Sequence, residues 1–180
     1  MVYMLLFPGF EEVEAVVPLD LLRRAGIDVM TVSAGDRTVH GSHGIGIEAD
    51  ISIGEMDLTA LEMIILPGGR GALEPARSCA PAMDALRFAW ENQRFVAAIC
   101  AAPTTLACLG ITDGRQVTCY PGFEPELHRA QVDGSAACVR DGKLITAASA
   151  GCAVPFALTL IAALTDQQTA DAVEQQIVIR

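Results

Sequence analysis

Three stretches of the chain are apolar at every position: Val2 to Phe7, Met63 to Leu66 and Phe95 to Ile99. Short unbroken apolar runs bounded by turn residues suit strands covered on both faces, as in a parallel sheet. Each run stops abruptly, at Pro8-Gly9, at Pro67-Gly68-Gly69 and at Cys100. After the first run, Glu11 to Ala25 has a helical period in which Val13, Val16, Val17 and Leu21 form the apolar stripe. Gly26 ends it, and Ile27 to Ser33 reads as a second strand. Strand, helix, strand in this spacing predicts a βαβ unit with a right-handed crossover. Residues 34–50 are rich in Gly, Ser and His and alternate through Gly44-Ile45-Gly46-Ile47-Glu48, which predicts a hairpin excursion outside the core.

The second half continues the α/β pattern. A helix is predicted over Ala80 to Asn92, another over Ala101 to Leu109 with Pro103 in its first turn, and a strand over Gln116 to Cys119, broken by Tyr120-Pro121-Gly122. Ala136 to Val139 and Leu144 to Ala147 flank Arg140-Asp141-Gly142-Lys143, and Asp-Gly suits a hairpin turn with positive φ. Val154 to Leu164 is a strongly apolar helix expected to pack on the sheet, and Asp166 to Gln176 a more polar last one. No repeat, low-complexity tract or linker interrupts the pattern, so residues 1–180 are read as one domain.

Composition narrows the partners. With 52% hydrophobic and 19% charged residues, the 180-residue chain can bury a substantial core. Twelve basic residues against 22 acidic ones give a net charge of -10, which disfavours a phosphate backbone or an anionic bilayer as partner. The six cysteines form no CxxC and no metal-ligand spacing with the three histidines, so neither a zinc site nor a disulfide framework is expected. They read as reduced cytosolic thiols. The N-terminal run lacks a basic flank and meets Pro8-Gly9 too soon for a signal peptide, and Ala153 to Leu164 is too short to span a bilayer. A cytoplasmic protein is expected.

Chemistry concentrates at Cys100. A strand ending in a cysteine, followed by small residues and a helix, has the pattern of a nucleophile elbow. A helix N-terminus favours negative charge, so the thiol is expected to titrate low and react as thiolate. A buried, inert core cysteine is the competing reading. The Pro67-Gly68-Gly69-Arg70-Gly71 loop exposes backbone N–H groups at a strand end, where α/β sheets bind ligands. Among Glu11, Glu12 and Glu14, helical phase puts only Glu14 beside Leu21 at the edge of the stripe, with Glu11 and Glu12 pointing away into solvent. A half-buried Glu14 would have a raised pKa, as acid–base work near neutrality requires.

Phe7-Pro8-Gly9-Phe10-Glu11-Glu12-Val13-Glu14, Leu66-Pro67-Gly68-Gly69 and Ala97-Ala98-Ile99-Cys100-Ala101-Ala102-Pro103, in this order, resemble the ThiJ/PfpI superfamily, most closely its Parkinsonism-associated deglycase branch. The resemblance covers nearly the whole chain. It implies a flavodoxin-like, class I glutamine-amidotransferase-like three-layer sandwich with a mostly parallel central sheet. It also implies Cys100 as nucleophile, Glu14 as the carboxyl contacting the thiol, and Gly69, Ala101 and Gly68 as the oxyanion and substrate-binding set. His43 falls where relatives often place an arginine or histidine reaching toward the partner subunit of a homodimer, although a lone loop histidine can equally be merely solvated. Three departures stand out. Position 101 is alanine where the peptidase-like branch has histidine, which disfavours peptidase action. Ala147-Ala148-Ser149-Ala150-Gly151-Cys152 lacks the basic or amide side chain of many relatives, and a histidine that some relatives place near the pocket has no secure counterpart here, His128 being nearby only in sequence. Cys119 and Cys152 read as small core residues or as neighbours of the pocket.

The resemblance implies a cofactor-independent cysteine enzyme on small reactive carbonyls, of glyoxalase or deglycase type, converting methylglyoxal to lactate. A redox-responsive protective protein using oxidation of Cys100 shares the same site. Peptidase or amidase action and a non-catalytic interaction module are further alternatives.

Overall fold

The structure, a computed structural model, describes residues 1–178. The three all-apolar runs lie side by side in the middle of one sheet: β1 (Val2–Leu6), β6 (Met63–Leu66) and β7 (Phe95–Ile99), each buried at every residue. To one side lie β2 (Val29–Ser33) and β5 (Ile51–Ser52); to the other, β11 (Leu144–Ala147) and β10 (Cys138–Asp141). All neighbours in this seven-stranded sheet are parallel except β10 and β11, the hairpin signalled by Asp141-Gly142. The expected hairpin excursion is β3 (Thr38–His40) paired with β4 (Gly46–Glu48).

The step from β1 to β2 passes through α1 (Glu12–Arg24), and the step from β6 to β7 runs the opposite way across the sheet through α2 (Leu73–Ser78) and α3 (Ala80–Glu91). With right-handed crossovers, opposite directions put the helices on opposite faces. Accordingly α1 packs with α5 (Ala153–Leu164) and α6 (Gln167–Gln176) in one outer layer, while α2, α3 and α4 (Pro103–Ala107) form the other. The strand order reverses between β1 and β6, and at such a switch point the loops beyond the carboxyl ends leave a crevice. Register aligns those ends. Leu66 pairs with Ala98 and Ala147 with Ile99, so Gly68 and Cys100 emerge level with one another.

Several boundaries differ from the sequence reading. The helix after Cys100 covers only Pro103–Ala107, because residues 101 and 102 form the turn itself and Gly110, at φ 71°, reverses the chain soon after. The predicted strand at Gln116 is reduced to β8 (Gln116–Val117), paired with β9 (Gln131–Val132) in a separate ribbon; Thr118 N–H is taken instead by the Thr146 hydroxyl at 2.9 Å.

The largest correction concerns α1. Its buried positions are Glu12, Glu14, Ala15, Pro18, Leu21 and Leu22, whereas Val13 and Val16 are 45% and 44% exposed. The helix packs by its Ala15–Pro18–Leu22 side and leaves the two valines outside. Among the described residues, no helix is long and apolar enough to cross a membrane.

Candidate active site

Cys100 directly follows β7 in the left-handed region, φ 66°, one of few non-glycine residues there. That conformation costs on the order of 1–3 kcal/mol and persists only where surroundings over-determine it. Here they do. Cys100 N–H donates to Ala147 O at 2.9 Å, and its carbonyl accepts from Tyr120 N–H at 2.8 Å. The strained bend turns the half-buried sulfur out of the strand row, as the elbow pattern predicts.

The β1–α1 loop packs backbone against backbone on the β6–α2 loop. A side chain at Gly69, φ 102°, would collide with the Gly9 carbonyl, and one at Gly9, φ 83°, would come within 2.9 Å of Gly71 Cα. Glu11 N–H donates to Gly68 O at 3.0 Å, fastening the start of α1 to this loop. Glu14, one turn on, is thereby pointed into the crevice. It is 1% exposed, accepts from Gly68 N–H at 2.9 Å and hydrogen-bonds Cys100. Gly68 makes the meeting possible: a Cβ there would run into the Glu14 carboxylate and come within 2.6 Å of Cys100 Cβ.

Burial raises the Glu14 carboxyl to about 7, against the opposing pull of its bonds to Cys100 and Gly68. The expected low-titrating thiol is not found. Burial, and then the charge and hydrogen bonding of Glu14, push Cys100 up to about 12, although the N–H groups of Gly69 and Ala101 bond the sulfur and pull the other way. The helix beyond the elbow has only five residues, Pro103–Ala107, and supplies too little dipole to offset burial and a neighbouring carboxylate. Between about 7 and about 12, therefore, the Glu14–Cys100 pair carries one proton between them, and thiolate arises by passing that proton to the carboxylate. The Gly69 and Ala101 N–H groups bond the sulfur, whereas the Gly68 N–H is committed to Glu14.

Glu12, placed in solvent by helical phase, is 5% exposed under the Gly41–Ile45 loop. Phase arguments assume open water beyond the helix, and here a hairpin loop folds over its first turn. Burial pushes Glu12 upward, but the His43 ring and the backbone N–H groups of His43 and Ile45 outweigh it and hold the carboxyl at about 2. The His43 N–H donates at 2.7 Å, and its Nδ1 lies 2.9 Å from Glu12 and 3.5 Å from Glu11. The Glu12 bond, with the charges of Glu11 and Glu12, raises His43. Glu11, Glu12 and His43 bring three ligand-type atoms within 4.8 Å of one another, the one such group among the described residues. Glu12 already accepts from the Ser42 hydroxyl and from the His43 and Ile45 N–H groups, besides its contact with His43 Nδ1.

Cys100, Glu14, Ala101 and Gly69 line a cavity of about 610 Å³, which His43 also borders. Its other walls include Arg70, from the loop expected to bind ligands, Ser149–Gly151, from the stretch that departs from many relatives, and Tyr120 and Phe123, which were not identified as site residues from sequence. The Tyr120-Pro121-Gly122 break, directly after the predicted strand, carried the available signal. His128 is exposed and lines a different small cavity, so no Cys–His pair is formed there. Cys119 is a core residue, 2% exposed, and Cys152 lies just behind the Ser149–Gly151 wall, its sulfur 3.7 Å from the Ser149 hydroxyl. A second cavity, about 540 Å³, lies between β3 and α2 and contains His40 and Cys79 but no buried carboxylate.

A doubly wound sheet with a cysteine elbow at its switch point, faced by a buried glutamate, defines a flavodoxin-like protein of the class I glutamine-amidotransferase-like type. Comparison with known proteins resolves the family: residues 1–163 match the DJ-1/PfpI family model, and the chain belongs to that family. It is 34% identical over 178 residues to protein dj-1beta of Drosophila melanogaster, covering 97% of this chain and 95% of that one. The crystal structure of that protein superposes with a TM-score of 0.94 at 32% identity, over 99% of this chain and 97% of the other. A deglycase of Pyrococcus abyssi is 31% identical over 138 residues, 76% of this chain and 82% of its own. The structure of oxidized Toxoplasma gondii DJ-1 matches with a TM-score of 0.92 at 29% identity, over 98% of this chain and 97% of the other.

Proposed function

We propose that the protein is a cysteine-dependent enzyme acting on small reactive carbonyls, with methylglyoxal to lactate as its reaction. The observation that carries this reading is the buried Glu14 carboxyl, held by Gly68 N–H, set against the Cys100 thiol beside the Gly69 and Ala101 N–H donors. As the sulfur adds to the aldehyde carbon, Glu14 carboxylate takes the thiol proton and the oxyanion is held by Gly69 and Ala101 N–H. Glu14 returns that proton to the oxygen, which gives a hemithioacetal and restores the carboxylate. Glu14 then removes the proton from the former aldehyde carbon and a proton returns at the adjacent carbon, converting ketone and hemithioacetal into a hydroxy thioester. Water cleaves the thioester to lactate and restores the thiol. Electrons stay within the substrate, so no cofactor is required by this sequence of steps. The deglycase name of the Pyrococcus relative supports carbonyl adducts as the broader substrate class.

The test is direct detection of lactate from methylglyoxal, comparing wild type with Cys100→Ala. Catalytic lactate formation that vanishes in the variant supports the enzyme; lactate no higher than in the variant overturns it. A second reading, redox response through Cys100, is favoured by the same geometry, since a protonated Glu14 can donate to an oxidised sulfur, and the Toxoplasma relative was solved in an oxidized form. Peptide mapping after limited peroxide separates it, because random oxidation over the six cysteines removes it.

We further propose a cytoplasmic homodimer. The exposed Val13 and Val16 on α1 give an apolar face close to His43, the residue expected near a partner subunit. Val16→Asp should shift the sedimentation coefficient from dimer to monomer; an unchanged value removes α1 from the interface.

A further inference from the structure

Arg70 is a guanidinium without a carboxylate in a strongly acidic protein. Arg23, Arg24, Arg77, Arg87, Arg115 and Arg129 each lie within 4.0 Å of an acidic group, whereas Arg70 makes no ion pair or side-chain hydrogen bond among the described residues. It is nonetheless positioned. Its guanidinium carbon lies over the Phe123 ring, 5.6 Å from the centroid; Phe123 meets Tyr120 edge-on at 6.4 Å, and Tyr120 N–H holds the Cys100 carbonyl. Stacking on an aromatic face leaves the in-plane N–H fork of an arginine free, and that fork matches a carboxylate in bidentate fashion. Arg70 also directly follows Gly69, whose N–H points at the Cys100 sulfur, and lines the same cavity.

From this placement we infer that Arg70 is a specificity-determining residue that selects carbonyl substrates carrying a carboxylate over neutral ones of the same size. The inference rests on the carbonyl-directed reading of Cys100 and adds the substrate's charge to it. Glu11 and Glu14 line the same cavity, so a single free guanidinium suits a singly charged carboxylate better than a doubly charged phosphate.

Alkylation tests this without requiring turnover. Iodoacetate and iodoacetamide are nearly equal in size and differ in charge. With either, the Cys100 S–C bond forms, the C–I bond breaks, iodide leaves and the thiol proton passes to Glu14 or solvent. Rates are read from the Cys100 peptide by mass spectrometry in wild type, Arg70→Gln, Arg70→Lys and Arg94→Gln. Arg94 is exposed and lies before β7, at the opposite end of the sheet from Cys100, so its removal controls for net charge. The iodoacetate-to-iodoacetamide ratio is expected to fall about tenfold in Arg70→Gln, to be largely kept in Arg70→Lys, and to be unchanged in Arg94→Gln. High salt should bring wild type toward Arg70→Gln. An unchanged ratio in Arg70→Gln, or an equal fall in both rates, overturns the inference. Either result leaves the lactate assay standing as the separate judge of the carbonyl reaction.

Discussion

Glu14→Gln is the perturbation whose magnitude the structure fixes best. Glu14 is 1% exposed and its carboxyl is raised from an ordinary 4.5 to about 7, chiefly by burial. A group whose folded pKa lies above its unfolded value contributes stability that is fully present below the unfolded pKa and lost as pH rises through the folded one. The gap of about 2.5 units corresponds to about 3 kcal/mol, spent between pH 4.5 and pH 7 at a slope of about 1.4 kcal/mol per pH unit. Glutamine keeps the shape and an acceptor for Gly68 N–H but does not ionise, so the difference in unfolding free energy, wild type minus variant, should fall by about 3 kcal/mol from pH 4 to pH 8. Urea titrations followed by Trp90, the single tryptophan, measure it. At an m-value of about 2 kcal/mol/M the relative shift in midpoint is about 1.5 M. Ionisation of unfolded cysteine, with a pKa of about 8.5, only begins near pH 8 and is common to both proteins, so it cancels in the comparison. A difference curve flat with pH would refute the reasoning, since it would mean that Glu14 titrates alike folded and unfolded and holds no special proton at neutrality.

The shared proton also governs reactivity: alkylation of Cys100 by iodoacetamide should rise with a midpoint near pH 7, when Glu14 first becomes a base, and in Glu14→Gln the midpoint should move above pH 8.5, toward the thiol's own ionisation. The same midpoint in both proteins would remove the proton transfer. Gly68→Ala should lose about 1–3 kcal/mol of stability in urea and slow Cys100 alkylation, because the new methyl must displace either Glu14 or the cysteine; normal alkylation would show that the loop yields at no cost to the pair. Glu12 contributes in the opposite pH window. Its carboxyl is lowered from 4.5 to about 2, so its stabilisation is present above pH 4.5 and lost as pH falls toward 2, and Glu12→Gln should flatten the acid unfolding curve there, read by far-UV circular dichroism.

Much of this architecture was legible because the signals were local. Unbroken apolar runs at 63–66 and 95–99 fell on β6 and β7 residue for residue, and Asp141-Gly142 announced the β10–β11 hairpin. Cys100, Glu14, Gly69 and Ala101 came together because strand ends in a parallel sheet share one edge, a consequence of topology that short motifs can report. What failed needed tertiary context. Helical phase described α1 as a cylinder on a flat surface, yet the hairpin loop buries Glu12 and the packing angle exposes Val13 and Val16. Arg70, Tyr120 and Phe123 are joined only by the approach of three loops remote in sequence, and no periodicity encodes that meeting.

The thiol's protonation is the instructive case. An elbow at a helix start argues for a low pKa, and each local element of that argument is present: the positive φ at Cys100, the Gly69 and Ala101 donors, the helix beyond. Burial of the sulfur, together with the charge of the carboxylate that the fold sets against it, outweighs them. A stored thiolate would meet any oxidant or electrophile that entered the cavity. A thiol that ionises by handing its proton to Glu14 instead becomes a nucleophile when an incoming carbonyl can spread the developing charge onto the Gly69 and Ala101 amides. Reactivity is then coupled to the ligand's ability to accept negative charge, which favours polarised carbonyls over ordinary amides and accords with the absence of a histidine beside Cys100 to protonate an amine leaving group.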